Sequence, residues 1–266
     1  RLSELSFDNA CAPAALNRGI AAAHSDLIAL LDADDYWQPE KLVDQVAALA
    51  QHPEAALAYS WSDYVDQQGD YMCPGKRDVV KGDPESTYAK LLVSNFLENG
   101  STPLIRKSAL DEVGGFDESL PSAQDLDLYL KIAARYAFVT IPKVQFFYRI
   151  SSGSITSKLL EHEHRTVHFV ERTFAQAPSQ FQHLKARSYA QLYRYLMLRG
   201  VEEDITPRRS LQILRHMGLM LRYEPSLLTR QWWLLFTVCL KASTGIMPAP
   251  MANAVLSRTR RSTVLG

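Results

Sequence analysis

The first 150 residues alternate between short apolar runs and longer stretches in which apolar residues recur at helical spacing. Pro13 opens a run of alanines and leucines that predicts a helix over residues 13–24, the proline being suited to a first helical turn. Leu27-Ile-Ala-Leu-Leu31 is wholly apolar and stops abruptly at acids, which predicts a buried parallel strand between helices. A second helix is expected from Pro39 to just before Pro53, with Leu42, Val46 and Leu49 on one face. Residues 55–61 predict a strand and residues 65–69 a turn. Helices follow at residues 84–93, 107–113 (stopped by Gly114-Gly115) and 125–135. Strands are expected at residues 102–106, 138–141 and 144–149. Such alternation defines an α/β layered domain. Beyond Ser151-Ser-Gly-Ser154 only helical periodicity remains, broken at Pro178, between Gly200 and Pro207, and at Pro225. The chain therefore reads as an α/β domain over residues 1–157 and an α-helical region over residues 158–266.

Composition narrows the class. Of 266 residues 47% are hydrophobic and 22% charged, which excludes a disordered tail, a collagen-like fibre and a disulfide scaffold. Cys11, Cys73 and Cys239 are odd in number and form no C-x-x-C pair, so structural zinc is out and reduced thiols in a cytoplasmic compartment are expected. The first nine residues carry charges and no apolar leader. The longest apolar stretch, residues 231–240, is half of the roughly 20 residues a spanning helix needs. Net charge is zero, but residues 1–150 hold 13 Lys/Arg against 22 Asp/Glu, and residues 151–266 hold 16 against 7. An acidic first part and a basic second part either meet different partners or attract each other.

The candidate chemistry begins at Asp32-Ala-Asp-Asp35, directly after an apolar run. Ligands of open α/β sheets bind beyond the carboxyl ends of strands. On an extended backbone Asp32 and Asp34 point the same way, and their mutual repulsion is relieved by a hard cation such as Mg²⁺ or Mn²⁺ shared with phosphates. The alternative is a polar loop in which Asp35 or Gln38 caps the next helix. An EF-hand is excluded by Tyr36 and Trp37 at the positions that need an acid or Asn and a Gly. A phosphohydrolase of the aspartyl-phosphate type is weakened by Tyr36.

Several ordered blocks carry a more specific resemblance. Asn17-Arg-Gly-Ile20 and Leu27-Ile-Ala-Leu-Leu-Asp-Ala-Asp-Asp-Tyr-Trp-Gln-Pro-Glu-Lys-Leu42 come first. Ser101-Thr-Pro-Leu-Ile-Arg-Lys-Ser-Ala-Leu110, Val113-Gly-Gly-Phe-Asp-Glu-Ser-Leu120, Gln124-Asp-Leu-Asp-Leu-Tyr-Leu-Lys131 and Tyr148-Arg149 follow. Together, over residues 9–157, they resemble glycosyltransferase family 2, of the GT-A fold. The resemblance implies an inverting transfer of sugar from a nucleotide sugar to an acceptor hydroxyl. It implies that Asp34 holds a divalent metal (Mg²⁺ or Mn²⁺) on the donor diphosphate, with Asp32 reaching the nucleoside or sharing the ion. Asp125 matches the family's general base, and Asn17 and Arg149 match positions near the donor diphosphate.

Each role has a plainer alternative. Ser122-Ala-Gln-Asp125 is also a capping-box pattern. Asp127 is an i,i+4 partner for Lys131; Asn17 could pack a helix, and Arg149 could form a salt bridge. The pattern departs from the family at Leu16, Gln124 and Ser151, and the family's opening nucleotide-binding strands have no counterpart, so a partial GT-A domain is expected.

Other signals are discounted. His162-Glu-His164 with His168 reads as a surface helix, Asn99-Gly-Ser101 as a formal sequon, and Trp232-Trp233 as helix core. Arg208, Arg209, Arg215, Arg222, Arg230, Arg258, Arg260 and Arg261 accompany apolar residues, which predicts peripheral contact with an anionic membrane, at its cytoplasmic face. Docking against the acidic part is the alternative, and no motif supports nucleic-acid binding. The expected function is an inverting glycosyltransferase that joins a nucleotide-sugar donor to a glycan or lipid-linked acceptor in cell-surface polysaccharide or glycolipid synthesis. The competing classes are a non-catalytic relic or interaction module of the same fold and, less favoured, a metal-dependent phosphohydrolase.

Overall fold

A computed structural model describes residue 4 and residues 11–80, 82–120, 122–150, 159–202 and 205–245. The chain divides into two compact units, Arg1–Ser152 and Gly153–Gly266. Each is taken by itself below.

The first unit is a six-stranded sheet with helices packed on it. In chain order it runs α1 (Ala12–Ala22), β1 (Leu27–Ala29), β2 (Tyr36–Trp37), α2 (Lys41–Gln51), β3 (Ala55–Val65), β4 (Tyr71–Pro74), α3 (Pro84–Val93), β5 (Leu104–Arg106), α4 (Lys107–Val113), α5 (Gln124–Ala133) and β6 (Ala137–Arg149). The sheet order is β1-β5-β3-β6-β2, with β4 added to β3. Only β3 and β6 run parallel; every other pairing is antiparallel. The residues of β3 are mostly buried because the strand lies mid-sheet, between β5 and β6.

Two expectations are corrected here. The apolar run after residue 26 is not a parallel strand: β1 spans three residues at the sheet's end and pairs antiparallel with β5, Leu27 opposite Arg106 and Ala29 opposite Leu104. Its partner lies 75 residues on, and an apolar run does not encode which way a distant partner runs. Residues 138–141 and 144–149 are one strand, not two. Exposed Pro142 and Lys143 sit at irregularities in the β3–β6 register, where a proline costs no ladder bond.

Helix α2 is also turned from its expected face. Lys41, Gln45 and Leu49 are buried, while Leu42, Val43 and Val46 are exposed. Its polar residues are used inward: Lys41 Nζ donates to Gln45 Oε1 (2.9 Å), and Gln45 Nε2 donates to the Thr102 carbonyl (3.0 Å). Leu49 joins Ala55, Ala58, Leu104, Ala137 and Ile141 in a core between helix and sheet. Helix α4 ends as expected, at Gly114 in the left-handed conformation (φ 80°).

The second unit is helical: α6 (Leu159–Gln176), a 3-10 turn (Ser179–Leu184), α7 (Lys185–Glu202), α8 (Pro207–Tyr223), α9 (Leu227–Arg230) and α10 (Trp232–Thr244). Thr206 caps α8, its hydroxyl accepting the Arg209 N–H, with Pro207 in the first turn. Inside, Glu163 accepts two bonds from Arg215 (2.8 and 2.9 Å) and lies 3.1 Å from His216 Nε2. Stacked rings of Tyr189, Tyr193 and Tyr223 fill the packing between α7 and α8. His164 and His168 are exposed on α6. Among the described residues no helix is long and apolar enough to cross a membrane.

Candidate active site

The acidic run does not continue β1. The strand ends at Ala29, and Asp35 N–H bonds back to the Asp32 carbonyl (3.1 Å), so the acids form a turn and the alternation of an extended chain does not apply. Asp32 and Asp34 are both exposed. Loss of surrounding water, then the charge of Asp34, pushes the Asp32 carboxyl above its ordinary range. Two coupled carboxylates at the surface are what a shared hard cation relieves.

Asp35 folds inward instead of capping a helix. Its Oδ2 accepts from Ser101 Oγ and its Oδ1 from the Arg149 backbone N–H, both at 3.1 Å. Burial outweighs these bonds and lifts its pKa to about 6. The buried Ser101 closes the clamp: its Oγ also accepts the Asp32 N–H (3.0 Å), and its carbonyl accepts the Trp37 indole N–H (2.9 Å).

Arg149 braces the same turn from β6. Nε donates to the Asp34 carbonyl (2.9 Å), and Nη1 donates to the carbonyls of Asp66 (3.2 Å) and Gln67 (2.8 Å). The guanidinium lies 5.6 Å from the Tyr36 ring centre. Asn17 has a different station. Its Nδ2 donates to the Phe116 carbonyl and to Glu118 Oε1, and its Oδ1 accepts the Phe116 N–H, all at 2.9 Å. A Cβ at Gly115 (φ 67°) would strike Asn17 Oδ1 at 2.7 Å, so that glycine is what lets α1 dock on the loop before α5.

Asp125 is the second residue of α5. The capping box weighed as the alternative there does not form: the cap position is Ala123, whose side chain makes no bond. Burial raises the Asp125 pKa, opposed by the backbone N–H groups of Leu126 and Asp125 itself and by Asn95, whose Nδ2 donates to Oδ2 at 3.2 Å. The charge of Asp32 reaches it and raises it further, and burial, then the carboxylates of Asp125 and Asp32, raise the Tyr129 hydroxyl. Asp32 of the acidic turn and Asp125, 93 residues apart in sequence, are therefore near enough to influence each other. Ala123 (φ 59°) and Glu98 (φ 72°) are, among the described residues, the two non-glycine residues with positive φ, and they flank Asp125 and Asn95. Strained backbone of this kind costs about 1–3 kcal/mol per residue and concentrates at functional sites. Ser62 and Tyr64 donate to the Glu98 carboxylate and hold it in place. Asp127 pairs with Lys131 at 2.8 Å, as its spacing predicted.

Sequence reasoning missed Asn95, Ser101 and Asp35 as members of this site. Ser101 and Asp35 stood inside the motif blocks without any spacing to single them out. Asn95 lies in an aperiodic segment 30 residues before its partner.

The mixed α/β sheet of the first unit, with helices packed on it, is the fold of the GT-A-type glycosyltransferases. A family model described as "Glycosyltransferase like family 2" matches residues 4–200, about three quarters of the chain, and the chain belongs to that family. It is 32% identical over 121 residues to the O-antigen biosynthesis protein RfbC of Myxococcus xanthus, covering 45% of this chain and 9% of that protein. It is 28% identical over 141 residues to an uncharacterized glycosyltransferase of Methanocaldococcus jannaschii, covering 52% of this chain and 46% of the relative. The chain thus spans less than half the length of these relatives. Among solved structures, S. aureus TarS 1-349 aligns over 94% of this chain and 71% of its own, with a TM-score of 0.52 and 14% identity, a likeness of fold.

Proposed function

We propose that this chain transfers a sugar, with inversion at the anomeric carbon, from a nucleotide-diphosphate donor to an acceptor hydroxyl. What supports the reading is that Asp125, on α5, lies near enough to the acidic turn for the charge of Asp32 to raise its carboxyl, as a base facing a donor-diphosphate site would need. Asp125 accepts the acceptor's hydroxyl proton while that oxygen bonds to the anomeric carbon. The bond from that carbon to the diphosphate oxygen breaks, and its electron pair leaves on the nucleoside diphosphate. Inversion requires attack opposite the leaving group, so the base and the diphosphate site stand on different sides of the sugar.

Asp34, with Asp32, would hold Mg²⁺ or Mn²⁺. Their oxygen-only donor set, exposure and mutual repulsion fit a hard divalent cation. Among the described residues no group of three or more His, Cys, Asp or Glu is placed to hold a metal, and a cation held by Asp34 and Asp32 would also need oxygens from the donor's diphosphate. Such an ion neutralises charge on the departing diphosphate. Arg149 and Asn17 serve the donor through the loops they brace. RfbC is named for O-antigen biosynthesis, which supports a glycan acceptor in cell-surface polysaccharide synthesis; a lipid-linked acceptor, glycolipid synthesis and a place at the cytoplasmic face of the membrane belong to the same proposal.

Calorimetric titration of UDP and of GDP, with and without Mn²⁺, tests the donor site. Metal-dependent binding of one nucleotide, lost in Asp34→Ala, is expected. Binding by neither, or binding indifferent to Asp34, would favour a non-catalytic interaction module.

A further inference from the structure

The second unit exposes an apolar face that its own helices do not cover. With 100° between successive residues of an α-helix, Trp232, Trp233, Phe236, Cys239 and Leu240 fall in one sector of α10. Leu235, Val238 and Ala242 point elsewhere and are buried. Instead of forming core, Trp232 is 61% exposed, Trp233 57% and Phe236 53%, and Leu228 of α9 is 59% exposed just before them. The three rings pack on one another: Trp232 meets Trp233 edge-on at 5.4 Å, and Trp233 stacks with Phe236 at 5.7 Å. No charged residue lies in that sector of α10.

The stretch of sequence that carries this face is basic. After the acids Glu202, Glu203 and Asp204, residues 205–245 hold six Lys/Arg and a single acid, Glu224. Glu224 is itself faced by Arg230 (3.7 Å) and Arg187 (3.9 Å). Arg208, Arg222 and Arg230 are exposed. A protein partner of ordinary composition would present both signs to such a surface. An anionic lipid surface presents one, and it also offers the headgroup boundary where indole rings, apolar in body and polar at one edge, are at home.

We propose that the face formed by Leu228, Trp232, Trp233 and Phe236 seats on an anionic lipid surface, its rings entering between headgroups and the surrounding arginines meeting lipid phosphates. This rests on the reading of the chain as peripheral to the membrane and says where the contact is made. The face carries no part of the acidic turn or of Asp125, so lipid binding and donor binding are separately testable.

The test uses the full chain with vesicles of phosphatidylcholine alone and of phosphatidylcholine with phosphatidylglycerol. The expected result is co-sedimentation with the anionic vesicles only, with a blue shift of tryptophan fluorescence and quenching by brominated lipid. Trp232→Ser/Trp233→Ser/Phe236→Ser should weaken partitioning about tenfold or more. Unchanged circular dichroism would show that the variant keeps its fold, and brominated-lipid quenching of the native chain probes the same contact without any substitution. Failure of the native chain to bind anionic vesicles would overturn both the membrane reading and this face. Full binding by the triple variant, with loss in Arg208→Gln/Arg222→Gln, would keep the membrane reading and remove this face. A dimer that dissolves with the aromatic substitutions, without vesicle binding, would make the face an interface between copies and overturn the proposal.

Discussion

Asn95 can offer Asp125 only its Nδ2. Its Oδ1 already accepts the N–H groups of Leu97 and Glu98, each at 3.2 Å, so the amide cannot reverse without breaking both. A donor on a carboxylate favours the charged form, and that is the form able to take a proton. Asn95 thus opposes burial and the charge of Asp32, which both push Asp125 the other way. Asn95→Ala should raise the Asp125 pKa further above its ordinary value, read by a carboxyl ¹³C titration. In an active preparation the acid limb of the rate profile should move up with it. Asp125→Asn, which removes the base, should lower turnover by about 10²–10⁴-fold. An Asn95→Ala titration superposing on the native one would show that the contact does not tune the base. At this scale the acids were legible because they stand in dense motifs. Their supporting residues were not, because hydrogen bonds such as Ser101 to Asp35 and Asn95 to Asp125 join segments whose spacing carries no period.

The helix α2 illustrates what an amphipathic pattern can and cannot specify. Leu42, Val46 and Leu49 share a stripe, but so do Lys41, Gln45 and Leu49, and hydrogen bonding to the Thr102 segment turns the second stripe inward. The consequence is a fully buried lysine, 4.0 Å from the Trp37 ring centre, whose pKa burial lowers to about 7. Between about pH 7 and the unfolded value of 10.5, the unfolded chain holds a proton that the folded chain does not. Stability should therefore be lowest below about pH 7 and rise toward pH 10.5, by up to about 5 kcal/mol from this group. Urea midpoints at about pH 7 and about pH 9.5 measure the slope, and Lys41→Met should flatten it. An equal slope in the variant would assign the effect to other groups. Most elements were legible in outline, as α3 and α4 show; the short strands β2 and β4 were not expected, and what else failed was strand direction at β1, the joining of two runs across Pro142, and the rotation of α2. Each of these last three is decided by a partner distant in sequence.

The whole chain balances its charge only on average. Its isoelectric point near 7.2 hides a net −9 over residues 1–150 and +9 over residues 151–266. At neutral pH and low ionic strength, where screening reaches beyond about 10 Å, it should be retained by both anion and cation exchangers. Passing unretained through both would mean that the two charge sets cancel each other locally. The change from mixed to helical periodicity was plain in sequence, yet the family match runs on to residue 200, through most of α7. Helices built on packing rather than on reactive residues leave few motifs by which sequence alone could show that they belong.

Asn99 carries one practical consequence for anyone producing this protein. With Ser101 it satisfies a glycosylation sequon, yet it is 8% exposed, Ser101 is fully buried, and Asn99 Oδ1 holds the Ser101 N–H and the Thr102 hydroxyl. Its Nδ2, the atom a glycan would occupy, is sealed from solvent and has no hydrogen-bond partner. In a secretory eukaryotic host, sugar at this position could be added only before folding, and its presence would brand the molecules that never reached the native state.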